Sequence, residues 1–112
     1  MTRWKTVLML LIGKLVLPEQ PVFYRTQLMK QDNQDTAVKF LHQFFNYKEH
    51  PEKVEQTMQR VLQDLRDDGY VEFFYPIHPG KYKLTKSGYK KLAQIREELC
   101  LRDILSYPCQ AK

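Results

Sequence analysis

Apolar residues recur along this chain with two different periods, and the switches between them divide it into helices and short strands. Trp4, Val7, Leu8, Leu11 and Leu15 fall at helical spacing among good helix formers, which predicts a first helix over about Arg3 to Leu17 with Thr2 as its cap. Pro18 and Pro21 stop it and impose an extended link. Val22-Phe23-Tyr24 is a short β-prone run, the expected first strand of a small sheet. Thr26 is placed to cap a short helix beginning Gln27-Leu28-Met29, and the polar stretch from Lys30 to Asp35 reads as a turn or weak helix. Asp35 or Thr36 then opens a clearer helix whose apolar stripe is Val38, Leu41, Phe44 and Phe45.

The second half of the chain carries the sharper pattern. Val54, Met58, Val61, Leu62 and Leu65 make one continuous helical face. Pro51 suits a first helical turn, Glu52 suits its positive pole, and Gly69 stands where a left-handed cap belongs. These signals predict a helix from Pro51 to Asp68. Tyr70 to Tyr75 is strongly β-prone, Pro76 to Gly80 is turn-forming, and Lys81-Tyr82-Lys83-Leu84 alternates as a half-buried strand does. Together they predict a β-hairpin. Thr85 can cap a final helix from Lys86 to about Leu105, with Tyr89, Leu92, Ile95 and Leu99 as its seam. Pro108 ends it and leaves a loose tail over residues 108–112. No repeat or linker interrupts the pattern, so residues 1–107 are expected to form a single domain, mainly α with a small β-hairpin (α+β).

Composition adds an uneven charge. The net charge is +5, which permits an anionic partner. Residues 1–30 hold five basic side chains against Glu19, and residues 69–112 hold eight against four acidic ones. The predicted helix between them is acidic, with Glu52, Glu55, Asp64, Asp67 and Asp68. Two cysteines, Cys100 and Cys109, are too few for a disulfide framework, and His42, His50 and His78 are too scattered to complete a zinc motif. The expectation is a cytoplasmic protein with no metal and no cofactor. Val7 to Ile12, behind Arg3 and Lys5, superficially resembles a signal peptide. Lys14 breaks the run, no small-residue cleavage site follows, and a bilayer span needs about 20 apolar residues, so the run reads as a buried helix rather than a membrane segment. Catalysis lacks its usual signatures: no nucleophile with a local base, no phosphate-cradling glycine loop and no paired carboxylates. Ser87 and Ser106 are the only serines, read as helix-start and tail residues.

Helix, strand, helix, helix, hairpin, helix is the element order of a winged helix-turn-helix, and specific residues strengthen the likeness. "RVLQDLRDDGYVEFF" resembles the end of a recognition helix turning into the first wing strand. "GKYKLTKSGYKKL" resembles the second wing strand running into a closing helix, with a Leu-Thr-x-x-Gly pattern at Leu84, Thr85 and Gly88. Residues 23–84 also resemble the C-terminal winged-helix domain of Dam-replacing-type restriction endonucleases. The matching positions are Leu65, Arg66, Asp67 and Gly69, then Gly80, Lys81 and Tyr82. That family's nuclease domain has no counterpart here, so the resemblance implies binding of double-stranded DNA and not cleavage.

Under that resemblance, the helix from Pro51 would turn Lys53, Gln56, Thr57, Arg60 and Gln63 toward a major groove, since Arg pairs with guanine and Gln with adenine edges. Lys81, Lys83 and His78 on the wing, with Arg25, Thr26 and Gln27 near the short helix, would hold the backbone. Transcription regulation is the implied use. Glu52 and Glu55 oppose it and favour the alternative, a winged helix that binds another protein as an adaptor within a larger complex. Trp4, Leu8, Leu11, Leu92, Ile95 and Leu99 together suggest more apolar surface than one small core covers, which leaves two arrangements open: a homodimer through them, or the first and last helices packing on each other.

Overall fold

The computed structural model describes residues 2–48, 51–73 and 80–102, with side chains through Leu99 in the last stretch. The predicted turn from Pro76, the wing-tip His78, Ser106, Cys109 and the tail over 108–112 lie outside the described residues. The elements are α1 (Arg3–Leu15), β1 (Val22–Tyr24), α2 (Arg25–Leu28), α3 (Gln31–Phe45), α4 (Val54–Asp67), β2 (Val71–Phe73), β3 (Lys81–Leu84) and α5 (Lys86–Arg102). The architecture is therefore mainly helical with a small three-stranded antiparallel sheet. No helix among the described residues is long and apolar enough to cross a membrane.

α1 is the organising helix. Thr2 caps it by accepting from the Lys5 N–H at 3.2 Å, as its position before a helical run predicts. Every residue from Thr6 to Ile12 is buried, because α3, α4 and α5 all pack on α1. A continuous apolar run is what a helix covered on all sides requires. It ends at Leu15, earlier than its pattern predicts: Val16 turns extended, and Leu17 and Gln20 form a bridge across Pro18-Glu19.

This packing corrects the expected homodimer surface. Leu8, Leu11, Leu92, Ile95 and Leu99 are at most 3% exposed within the single chain, and Trp4 is partly buried against the same core. The first and last helices cover each other, so these side chains leave no apolar excess for a second copy.

Three helix starts also differ from expectation. α2 begins at Arg25 rather than Gln27, with Tyr24 in the capping position and Thr26 inside the helix. Gln27 explains this by reaching back, its Oε1 accepting from the Tyr24 N–H at 2.8 Å. α3 begins at Gln31, ahead of Asp35 and Thr36, without a side-chain cap at Lys30. α4 begins at Val54, because Lys53 adopts a left-handed backbone (φ 55°) that breaks any continuation from Pro51.

The sheet order is β1-β3-β2. Across the sheet Phe23 stacks on Tyr82 with ring centroids 5.6 Å apart, and Phe73 packs on Tyr82 at a tilt of 52° with centroids 5.3 Å apart. Pairing of Tyr24 with Lys81 and of Glu72 with Lys83 sets a mixed outer face.

One joint ties the sheet to two helices. Gly69 (φ 86°) ends α4: its N–H donates to Arg66 O and the Tyr70 N–H to Leu65 O, both at 3.0 Å, a Schellman cap. Thr85 Oγ1 donates to the Gly69 carbonyl at 2.7 Å and accepts from the Gly88 N–H at 3.0 Å, which starts α5. A Cβ on Gly88 would lie 2.2 Å from Tyr70 O. The Leu-Thr-x-x-Gly pattern therefore has a physical basis: Thr85 caps the helix, and Gly88 permits the helix to touch the strand backbone.

Candidate nucleic-acid interface

α4 buries Met58, Val61, Leu62 and Leu65, and this fixes what its other side shows. Gln56, Gln59, Arg60 and Gln63 are all exposed there, spaced by three and four residues so that they neighbour one another along the helix. Of the five side chains expected on this face, Gln56, Arg60 and Gln63 are present. Thr57 is half-buried toward the core side, and Lys53 precedes the helix in its left-handed conformation. Gln59 was missed, although its spacing from Gln56 and Gln63 makes it legible in the sequence.

The row is partly self-supported. Gln59 donates to Glu55 at 3.3 Å. With its carboxamide oxygen turned toward Arg66, Gln63 accepts from Arg66 Nε at 3.2 Å. Arg66 also lies over the Phe73 ring, 5.9 Å from its centroid, linking the row to β2. Arg60 borders a cavity of about 380 Å³ that it shares with Arg3, Lys5, Tyr47 and Asp64. Inside this region the cations have partners: Arg3 stacks over Tyr47 at 5.6 Å, and Lys5 Nζ donates to Asp68 at 2.8 Å. That hydrogen bond is the main reason the Lys5 ammonium titrates above its ordinary range.

The remaining expected contacts form a second group around the sheet. Arg25, Thr26 and Gln27 are exposed on α2, and the Arg25 N–H donates to Gly80 O at 2.7 Å, which fastens this short helix to the base of the hairpin. Gln27 and Lys81 line one cavity with Tyr24 between them, and Lys81 Nζ sits 5.9 Å from the Tyr24 ring centroid. Lys83 is half-buried and stands opposite Glu72 on β2 in the strand register, without an ion pair between them. Acidic groups also reach the α4 side, where Glu55 and Asp67 are exposed. Among the described residues no cluster of His, Cys, Asp and Glu is suited to hold a metal ion. Compared with known proteins, the chain matches no family model, no curated protein and no solved structure.

Proposed function

We propose that this is a DNA-binding winged-helix protein without catalytic activity of its own, acting in the cytoplasm as a transcriptional regulator or sequence-reading module. The observation that carries the reading is the exposed row Gln56, Gln59, Arg60 and Gln63 on the helix directly before the hairpin. Amide and guanidinium groups at this spacing match adenine and guanine edges in a major groove, each good bidentate pair contributing about 1–3 kcal/mol of discrimination. Additional support comes from the element order and from the β1-β3-β2 sheet, which suits a wing beside a reading helix. Arg25, Thr26 and Lys81 would then hold backbone phosphates, while Gln27, committed to Tyr24, would position α2.

The test is a fluorescence-anisotropy titration with mixed-sequence duplex at low and moderate salt. Affinity is expected to fall steeply with salt as phosphate contacts release counterions. Absence of binding even at low salt would remove the reading.

A second reading, docking to another protein, is favoured by Glu55 and Asp67 on the same side of α4. The double variant Arg60→Ala, Gln63→Ala separates the two. Sequence-selective loss of DNA binding with an unchanged melting temperature supports DNA. Unchanged DNA binding supports the protein partner.

A further inference from the structure

The C-terminal half of α1 and the start of α5 enclose a groove of about 410 Å³, away from the residues assigned above. Val16, Pro18, Leu92 and Ala93 give it apolar walls, Gly13 forms part of its floor, and Tyr89 and Arg96 complete the lining. Gly13 makes the space: a Cβ there would lie 2.7 Å from Leu92 Cδ2 and 2.8 Å from Arg96 Nη2. The Arg96 guanidinium is therefore folded down over the glycine rather than extended into water.

The other hydrogen-bond donors around the groove are committed elsewhere. The Tyr89 hydroxyl donates to Leu17 O at 2.6 Å, and the Val16 N–H to Ile12 O at 3.2 Å. Pro18 has no N–H, and the backbone donors of Gly13, Leu92 and Ala93 lie within helices. Arg96 is half-buried and forms no ion pair among the described residues. Its helical neighbours at three and four residues, Leu92, Ala93, Leu99 and Cys100, carry no carboxylate. Glu19, on the turn beside Tyr89, does not reach it either.

A half-buried cation against apolar walls gains from an anion that brings its own hydrocarbon. The guanidinium fork pairs with a carboxylate through two parallel bonds. A single cation without a backbone cradle does not suit a di- or triphosphate. The volume lies within the roughly 300–1,000 Å³ of small-molecule sites. We propose that the α1–α5 groove binds a small apolar monocarboxylate, its carboxylate on Arg96 and its chain or ring against Val16, Pro18 and Leu92. This site is independent of the DNA reading and stands or falls apart from it.

Octanoate, at concentrations below its micellar range, is the probe, with 1-octanol as the uncharged control. Calorimetry on the full chain should give saturable one-to-one binding of octanoate, a melting temperature that rises with its concentration, and at least about tenfold weaker binding of octanol. Amide NMR shifts should centre on Gly13, Val16, Leu92 and Ala93. Arg96→Gln should weaken octanoate by about tenfold or more while leaving octanol unchanged. Ala93→Phe, at an exposed rim position, should block both ligands without changing the fold. Equal affinity for octanoate and octanol, no saturation by roughly 10 mM, or unchanged octanoate binding in Arg96→Gln would overturn the site. Self-association through this groove, seen as concentration-dependent sedimentation that Ala93→Phe abolishes, would overturn it as well.

Discussion

The two ends of α4 are built on opposite terms. At the C-terminal end Gly69, Thr85 and Gly88 lock helix, strand and following helix together through backbone carbonyls. At the N-terminal end Lys53 holds a left-handed conformation with no side-chain cap, and the Thr57 N–H to Lys53 O bond at 3.0 Å marks the start. The end that joins the sheet is fixed from within. The other is open by comparison, since no side-chain cap at Lys53 ties its first turn. The difference teaches where rigidity is placed in this molecule: the joint sets the angle of α4 against the hairpin, and the open end carries no comparable side-chain tie.

Substitutions should break this contrast in a definite order. Gly88→Ala is expected to do most, because its methyl would lie 2.2 Å from Tyr70 O and 2.5 Å from Leu84 Cδ1. Relief would require α5 to move off the strand, so a loss of about 3 kcal/mol or more is expected in urea unfolding. Thr85→Val keeps the shape but removes the cap and the bond to Gly69, for a loss of about 1–2 kcal/mol in the same measurement. Gly69→Ala has open space around it but must adopt φ 86°, and should cost about 1 kcal/mol. At the open end the sign reverses. Lys53→Gly relieves the left-handed backbone and should raise stability by about 0.5 kcal/mol, partly offset by the freer unfolded chain. A loss in that variant would show that the Lys53 side chain contributes to the fold in a way its backbone does not reveal.

The same contrast governs how much was readable from the sequence. The C-terminal joint was legible because its signals are local: Gly69 after the last apolar turn, Thr85 before the next helix, Leu84 and Gly88 at fixed spacing. The starts of α2, α3 and α4 were not. Each is set by something other than the residue that fits the role best on paper: Gln27 bonding backward for α2, an unassisted start at Lys30 for α3, and Lys53 overriding Pro51 for α4. In the candidate site, the α4 row follows from the buried face, so Gln56, Arg60 and Gln63 emerged from spacing alone. The half-burial of Thr57 and the displacement of Lys53 depended on where the helix begins. The placement of Lys83 opposite Glu72 depended on strand register, which the alternation of residue types does not specify. The apolar seams of α1 and α5 were legible as seams with two possible destinations, a second copy or each other, and packing decides for the second.

The burial of α1 on every side has a consequence for how the chain is made. Its run from Thr6 to Ile12 is synthesised well before part of its cover, the residues around Leu92, Ile95 and Leu99. Contacts between segments far apart in sequence form late and slowly. Between those two events the nascent polypeptide carries an unshielded greasy segment, and the core can close only when α5 arrives. A message truncated before Leu92 would encode the form most dependent on chaperones.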